Sequence, residues 1–226
     1  IRLIDTMLEK QVDGIVFMGG KITEEHIRQF KTANVPVVLA ATQDETQTLP
    51  SINIDYKQAA YEATKELIES IDGQPAFVKG PDYTQSNGLK REGYIEALKD
   101  ASIDLNESFI VEEECTYNGG IAAVEKLLEN EVNPKAIFVA TDEMAVGVIH
   151  SLQDRGYKVP EDIEVFGFNN TRVSLMVRPT LTTVVQPMYG IGAVAMRLLT
   201  KFMNKEEVDE QTVILPHRIL KRDSTK

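Results

Sequence analysis

The chain has 226 residues, of which 42% are hydrophobic and only 14 are Gly and 9 Pro, a composition that fits a folded soluble protein with room for two lobes and excludes a disordered one. Its 35 acidic against 24 basic side chains give a net charge of -11, which repels a phosphate backbone over most of the surface, so the chain by itself is a poor nucleic-acid binder. The single Cys115 excludes an intramolecular disulfide and suits a cytoplasmic protein, and no apolar run nears the roughly 20 residues that span a bilayer.

Ile1, Ile4, Met7 and Leu8 share one helical face from the first residue, with no initiator methionine or cap ahead of them, so an N-terminally truncated chain is expected. DGIVFMG then predicts a strand, TEEHIRQFKTA a helix capped by Thr23, VPVVLAA a strand and SINID a short one. DYKQAAYEATKELIES predicts a helix capped by Asp55. The turn Ile71-Asp72-Gly73-Gln74-Pro75 after it is where the chain is expected to cross into a second lobe. That lobe begins with the strand AFVKG, a helix from near Asn87 to Ala101, the strand FIVEE and the helix GIAAVEKLLEN.

Two buried strands follow, each ending in polar residues. Ala136 to Ala140 is apolar throughout, and Thr141-Asp142 at its end is an N-cap candidate for the helix MAVGVIHSLQ, which Gly156 stops. After Pro160, IEVFGF is a second buried strand closed by the turn Asn169-Asn170-Thr171. Apolar strands alternating with helices predict an α/β fold whose sheets are mainly parallel and doubly wound with right-handed crossovers. Ligands of such sheets bind beyond the carboxyl ends of the strands. One polar cluster alone is ordinary capping and turn chemistry, whereas two at the same sheet edge point to a ligand crevice.

Arg197, Lys201 and Lys205 recur every four residues along the apolar run YGIGAVAMRLLTKFMNK. An isolated stripe of this kind is usually a solvated face whose late lysines complement the helix dipole. In a chain of net charge -11 it is a concentrated positive feature, and Arg218 adds a second guanidinium. Gly190 to Ala195 matches the dinucleotide fingerprint G-x-G-x-x-A with Asp209 about 20 residues on. That reading is rejected, because Pro187 precedes the match and no second strand intervenes before Asp209. His26, His150 and His217 are scattered and there is one cysteine, so no zinc spacing exists, and no nucleophile elbow or phosphate loop occurs; no metal, and no enzyme, is expected.

The runs TDEMAVGV, VPEDIEVFGFNNT and PTLTTVVQPM, in this order, resemble the effector-binding core of the LacI/GalR bacterial transcription regulators, a fold shared with periplasmic sugar-binding proteins. QPMYGIGAVAMRLLTKFMNKE and LPHRILKRDSTK resemble the carbon catabolite control branch of that family. The resemblance implies two periplasmic-binding-protein-like subdomains, 1–72 with 185–207 and 73–184 with 208–226. It also implies a DNA-binding headpiece and a first strand-helix-strand upstream of this chain, and a homodimer that fits operator DNA. It places an effector cleft at Lys90, Thr141, Asp142, Asn169 and Asn170. Relatives carry Arg in the R-x-x-G-[YW] motif where this chain has Lys90, a point charge and not a bidentate fork, and Cys115 stands in for an aromatic that stacks on sugar. A weakened small-molecule site follows, with a phosphosugar such as glucose 6-phosphate or fructose 1,6-bisphosphate as co-effector.

The main signal is then expected at Tyr189, Arg197, Lys201 and Arg218, the positions at which that branch docks the phosphocarrier protein HPr in its serine-phosphorylated form. A guanidinium holds such a phosphoserine by charge-assisted bonds. Gly190 departs from the branch pattern, which carries Asp there. The alternative is a sugar-binding protein of a transporter.

Overall fold

The structure is a computed structural model that describes residues 2–20, 22–42, 48–82, 85–208 and 210–226, without the side chains of Arg2 and Leu3. Ile1 of the opening apolar face and Asp209 of the rejected fingerprint lie outside the described residues. The elements in chain order are α1 (Arg2–Glu9), β1 (Ile15–Met18), α2 (Glu24–Ala33), β2 (Val37–Ala40), β3 (Ser51–Ile54), α3 (Tyr56–Ile71) and β4 (Ala76–Lys79). They continue with α4 (Gln85–Asp100), β5 (Ile110–Glu112), α5 (Tyr117–Glu129), β6 (Ala136–Val139), α6 (Asp142–Asp154) and β7 (Glu164–Asn169). The last are α7 (Val173–Met176), β8 (Thr182–Val185), α8 (Met188–Met203), β9 (Thr212–Leu215) and β10 (Arg218–Leu220). Among the described residues no helix is long and apolar enough to cross a membrane.

These elements form two compact units, Ile1–Asp55 with Pro187–Pro216 and Tyr56–Gln186 with His217–Lys226. The first holds a four-stranded sheet in the order β1-β2-β3-β9, parallel throughout. Side-chain alternation along β2 sorts its core: Val38 and Ala40 pack with Ile52 against Ile191, Ala195, Leu198 and Leu199 of α8, while Val37 and Leu39 face Ile4 and Phe30 of α1 and α2. Thr23 caps α2 as its sequence predicts, its hydroxyl accepting from the His26 N–H at 3.4 Å while its own N–H donates to His26 Nδ1 at 3.1 Å.

The second unit holds six strands in the order β10-β8-β7-β6-β4-β5, parallel except for the β10–β8 pair. The same alternation gives its two faces different characters. Ala76, Val78, Ile137, Val139 and Val165 pack with α5 and α6 side chains such as Val124, Leu127, Val148 and Ile149. The intervening Phe77, Phe138, Phe166 and Phe168 make a buried aromatic layer, with Phe77 stacked on Phe138 and on Tyr94 of α4 at 5.1 Å between centroids. Gly156 ends α6 region as expected, at φ +87°, where a side chain would be strained. Gly190 to Ala195 lies within α8, so the glycines there are helical.

The chain crosses between units at places other than those expected. Helix α3 belongs to the second unit, so the first crossing follows Asp55 and not Ile71. The reason is close packing on α4: at Gly93 an added Cβ would stand 2.1 Å from the Lys57 carbonyl oxygen, an approach only glycine permits. The tail VILPHRIL, expected in the second subdomain with the rest of 208–226, is two strands divided between the units. β9 pairs with β3 from Ser51↔Thr212 to Ile54↔Leu215 in the first unit, and β10 pairs with β8 in the second. Pro216 stands between them; lacking an N–H, it cannot continue a ladder.

Candidate functional site

The five residues expected at the effector cleft all belong to the second unit, at or beside the carboxyl ends of its parallel strands. The order β8-β7-β6-β4 brings the ends of β6 and β7 next to each other. Thr141 caps α6, its hydroxyl accepting from the Met144 N–H at 3.3 Å. Asp142 follows it and is fully buried. One carboxylate oxygen accepts from the Thr171 N–H at 2.5 Å and the Thr171 hydroxyl at 3.0 Å; the other accepts from the Thr183 hydroxyl at 2.6 Å. Burial pushes this carboxyl above the ordinary carboxylate range, while the bonds from Thr183 and Thr171 and the charge of Arg222 pull it back. Gly167 in the middle of β7 makes the room, since a Cβ there would lie 2.7 Å from the Asp142 carboxylate.

Asn169 and Asn170 both have positive φ, 110° and 54°, which the short polar side chain of Asn tolerates better than most. The Asn169 amide oxygen accepts from Gln186 Nε2 at 2.5 Å, and Gln186 Oε1 in turn accepts from the Tyr56 hydroxyl at 3.2 Å. The Asn170 oxygen accepts from Arg222 Nη2 at 2.6 Å, while Arg222 Nη1 donates to the Leu181 carbonyl at 2.7 Å. Arg222 escaped the sequence reading, as did Thr183 and Gln186. A glycine inside the buried run IEVFGF was the one local signal that something approaches that strand closely.

Lys90 projects from α4 and is only 4% exposed. Its ammonium donates to the Ala140 carbonyl at 2.9 Å and lies 4.2 Å from the Phe168 ring centroid and 5.9 Å from that of Tyr56. Burial pushes the amine down to about 8, partly offset by the charges of Cys115 and Asp142. Burial likewise pushes the Cys115 thiol up, against the pull of Lys90 and a bond to Asn87. The edge is therefore a network of charge and hydrogen bonds whose members are largely spent on one another. Asp142 and Asn170 brace this edge through their bonds to Thr171, Thr183 and Arg222, and Lys90 is engaged with Ala140 and Phe168.

Tyr189, Arg197 and Lys201 lie on α8 of the first unit, whereas Arg218 opens β10 in the second. The buried face of α8 carries Ile191, Ala195, Leu198 and Leu199. Its opposite face carries Tyr189 at 92% exposure and Met196 at 54%, with Met203 exposed as well. Residues seven apart return to nearly the same side of a helix, so these three form one row. Arg197, exposed, stands about a quarter turn from it, and Lys201, half-buried, lies further round the helix. Lys205 does not extend the cationic stripe as its spacing suggests: α8 ends at Met203, and Lys205 turns out of the helix at φ 59°. The methionine row was not singled out from sequence, because methionine at helical spacing ordinarily marks a core face.

The three histidines have separate local partners: His26 in the α2 cap, His150 with the Tyr117 hydroxyl at 3.0 Å, and His217 with Glu62 at 2.9 Å. Among the described residues no group of His, Cys, Asp or Glu could hold a metal.

Residues 74–225 match the family model of a periplasmic binding protein-like domain. Over its whole length the chain is 57% identical to catabolite control protein A of Priestia megaterium, covering 68% of that protein, and over 99% of its length it is 44% identical to the protein of the same name from Staphylococcus xylosus, again covering 68%. The crystal structure of the transcription regulator CcpA of Lactococcus lactis superposes with a TM-score of 0.93 at 42% identity, covering 100% of this chain and 82% of that one. The complex of the transcriptional regulator CelR with cellobiose gives a TM-score of 0.90 at 27% identity, covering 99% and 69%. These relatives are transcription regulators, so the transporter alternative is not favoured. The chain belongs to the LacI/GalR family of transcription regulators, as a CcpA-like effector-binding core of periplasmic-binding-protein fold.

Proposed function

We propose that this core serves carbon catabolite control by receiving serine-phosphorylated HPr on the outer face of α8. The observation that carries the reading is the exposed row Tyr189, Met196 and Met203 with Arg197 next to it, on a helix that also carries Lys201 in a chain of net charge -11. An apolar row with a guanidinium at its flank suits a partner that offers a phosphoserine next to an apolar patch.

The active species is a cytoplasmic homodimer. Leu175 at 59% and Met176 at 71% exposure on α7 are the large apolar side chains most open to a second copy in the second unit. Carrier binding favours the dimer geometry in which two N-terminal headpieces fit a palindromic operator, and it does so only by binding that geometry better than the other. A phosphosugar such as glucose 6-phosphate or fructose 1,6-bisphosphate assists at the strand-end edge. The spent state of Asp142, Asn170 and Lys90 supports a secondary role for it, and no catalytic step is assigned to the chain. Calorimetric titration with HPr and with its serine-phosphorylated form tests the reading: binding of the phosphorylated form alone supports it, and equal or absent binding of both refutes it.

A further inference from the structure

Six of the seven methionines are exposed by 42% or more: Met7, Met18, Met176, Met188, Met196 and Met203. Only Met144 is buried, at 0%. This reverses the ordinary use of a side chain that belongs among the buried residue types. Three of the exposed thioethers, Met188, Met196 and Met203, sit on the one helix α8, and two of them stand in line with Tyr189 and next to Arg197. Nothing in the first unit crowds this row at Gly192, where an added Cβ would meet no atom within 4 Å.

We propose that the α8 methionine row is a reversible oxidation site through which hydroperoxides switch off partner docking. The proposal rests on the docking function assigned to this face. A thioether lone pair attacks the outer oxygen of a hydroperoxide; the O–O bond breaks, an S–O bond forms, and water or an alcohol leaves. Sulfur loses two electrons and the peroxide gains them. The product sulfoxide is polar and chiral where the partner needs an adaptable apolar contact, so the row loses its fit while the fold, which uses only the opposite face of α8, is kept. Methionine sulfoxide reductases, one per epimer, restore the thioether.

The experiment treats the protein with hydrogen peroxide, maps sulfoxide by peptide mass spectrometry, and measures affinity for serine-phosphorylated HPr before and after. Met188, Met196 and Met203 are expected to oxidise while Met144 is spared, affinity is expected to fall at least tenfold, and treatment with both reductases is expected to restore it. The triple variant M188L/M196L/M203L is compared only with itself, and its affinity, whatever its starting value, is expected to be the same before and after peroxide. Undiminished binding by fully oxidised α8 overturns the proposal and leaves the docking reading standing. An equal loss in the triple variant overturns it too, by placing the sensitive group elsewhere. Absence of binding by the untreated protein overturns the docking reading, and the switch with it.

Discussion

Replacing Lys90 by Met is expected to stabilise the second unit at neutral pH, although it removes a buried cation from the strand-end edge. The amine is 4% exposed and pushed from its ordinary 10.5 down to about 8, which amounts to about 3 kcal/mol of cost for holding the ammonium in the fold at pH 7. The contact with Phe168 at 4.2 Å returns ~1 kcal/mol, which the variant forgoes. Methionine fills a similar volume without a charge but leaves the buried Ala140 carbonyl without its donor, at about 1 kcal/mol, so a net gain of about 1 kcal/mol is expected.

The dependence on pH has a definite sign. Below 8 lysine is protonated in both states and the cost is complete; between 8 and 10.5 the unfolded chain keeps a proton that the folded one has lost; above 10.5 neither holds it. The parent therefore gains stability relative to the variant as pH rises through that window, and most of the cost is gone by pH 10. Urea unfolding followed by circular dichroism at pH 7 and pH 10, parent against K90M, reads both quantities, and the variant cancels the titration of other groups. A variant less stable than the parent at pH 7, or a difference unchanged at pH 10, would refute the reasoning.

Other outcomes follow from the same geometry. Arg197→Ala should weaken binding of serine-phosphorylated HPr at least tenfold, about 1.4 kcal/mol, in calorimetry; unchanged affinity counts against the docking face. Asp142→Ala strands the Thr171 N–H and the Thr183 hydroxyl and should cost ~3 kcal/mol or more in urea unfolding, whereas a loss below ~1 kcal/mol would show that the carboxylate is not the clamp described. Gly190→Asp should be tolerated, since its Cβ meets the flexible tip of Leu215 at 3.3 Å and Pro187 at an ordinary 3.8 Å, and it should raise affinity for a carrier that presents a histidine; a weaker complex speaks against that pairing. Free glucose should bind only weakly, as Lys90, Asp142 and Asn170 are already engaged, and a micromolar dissociation constant would contradict this.

The strand-end residues were legible because their chemistry is local. Thr141 follows an apolar run and precedes an apolar helix, which is enough to name a cap, and Asn169-Asn170 closes a strand whose end needs positive φ. What these groups do with their remaining valences was not legible. Asp142 finds Thr183 41 residues away and Asn170 finds Arg222 52 residues away, and no spacing rule connects them. On α8 the sequence showed cations at four-residue intervals, but which face the methionines take depends on where the helix meets its sheet.

Periodicity and punctuation thus determined the elements, the α/β class and the edge where polar residues gather, because a buried parallel strand and an amphipathic helix each impose their own apolar pattern on neighbouring residues. The tertiary structure alone decided the threading of α3, β9 and β10 between two sheets, the closing of the polar edge upon itself, and the outward turn of Met196 and Met203. Each of these is set by long-range packing, in which a strand or helix of given pattern satisfies either of two partners equally well until the close approach at Gly93, the β3–β9 register or the fit of Leu198 and Leu199 of α8 against Val38, Ala40 and Ile52 selects one.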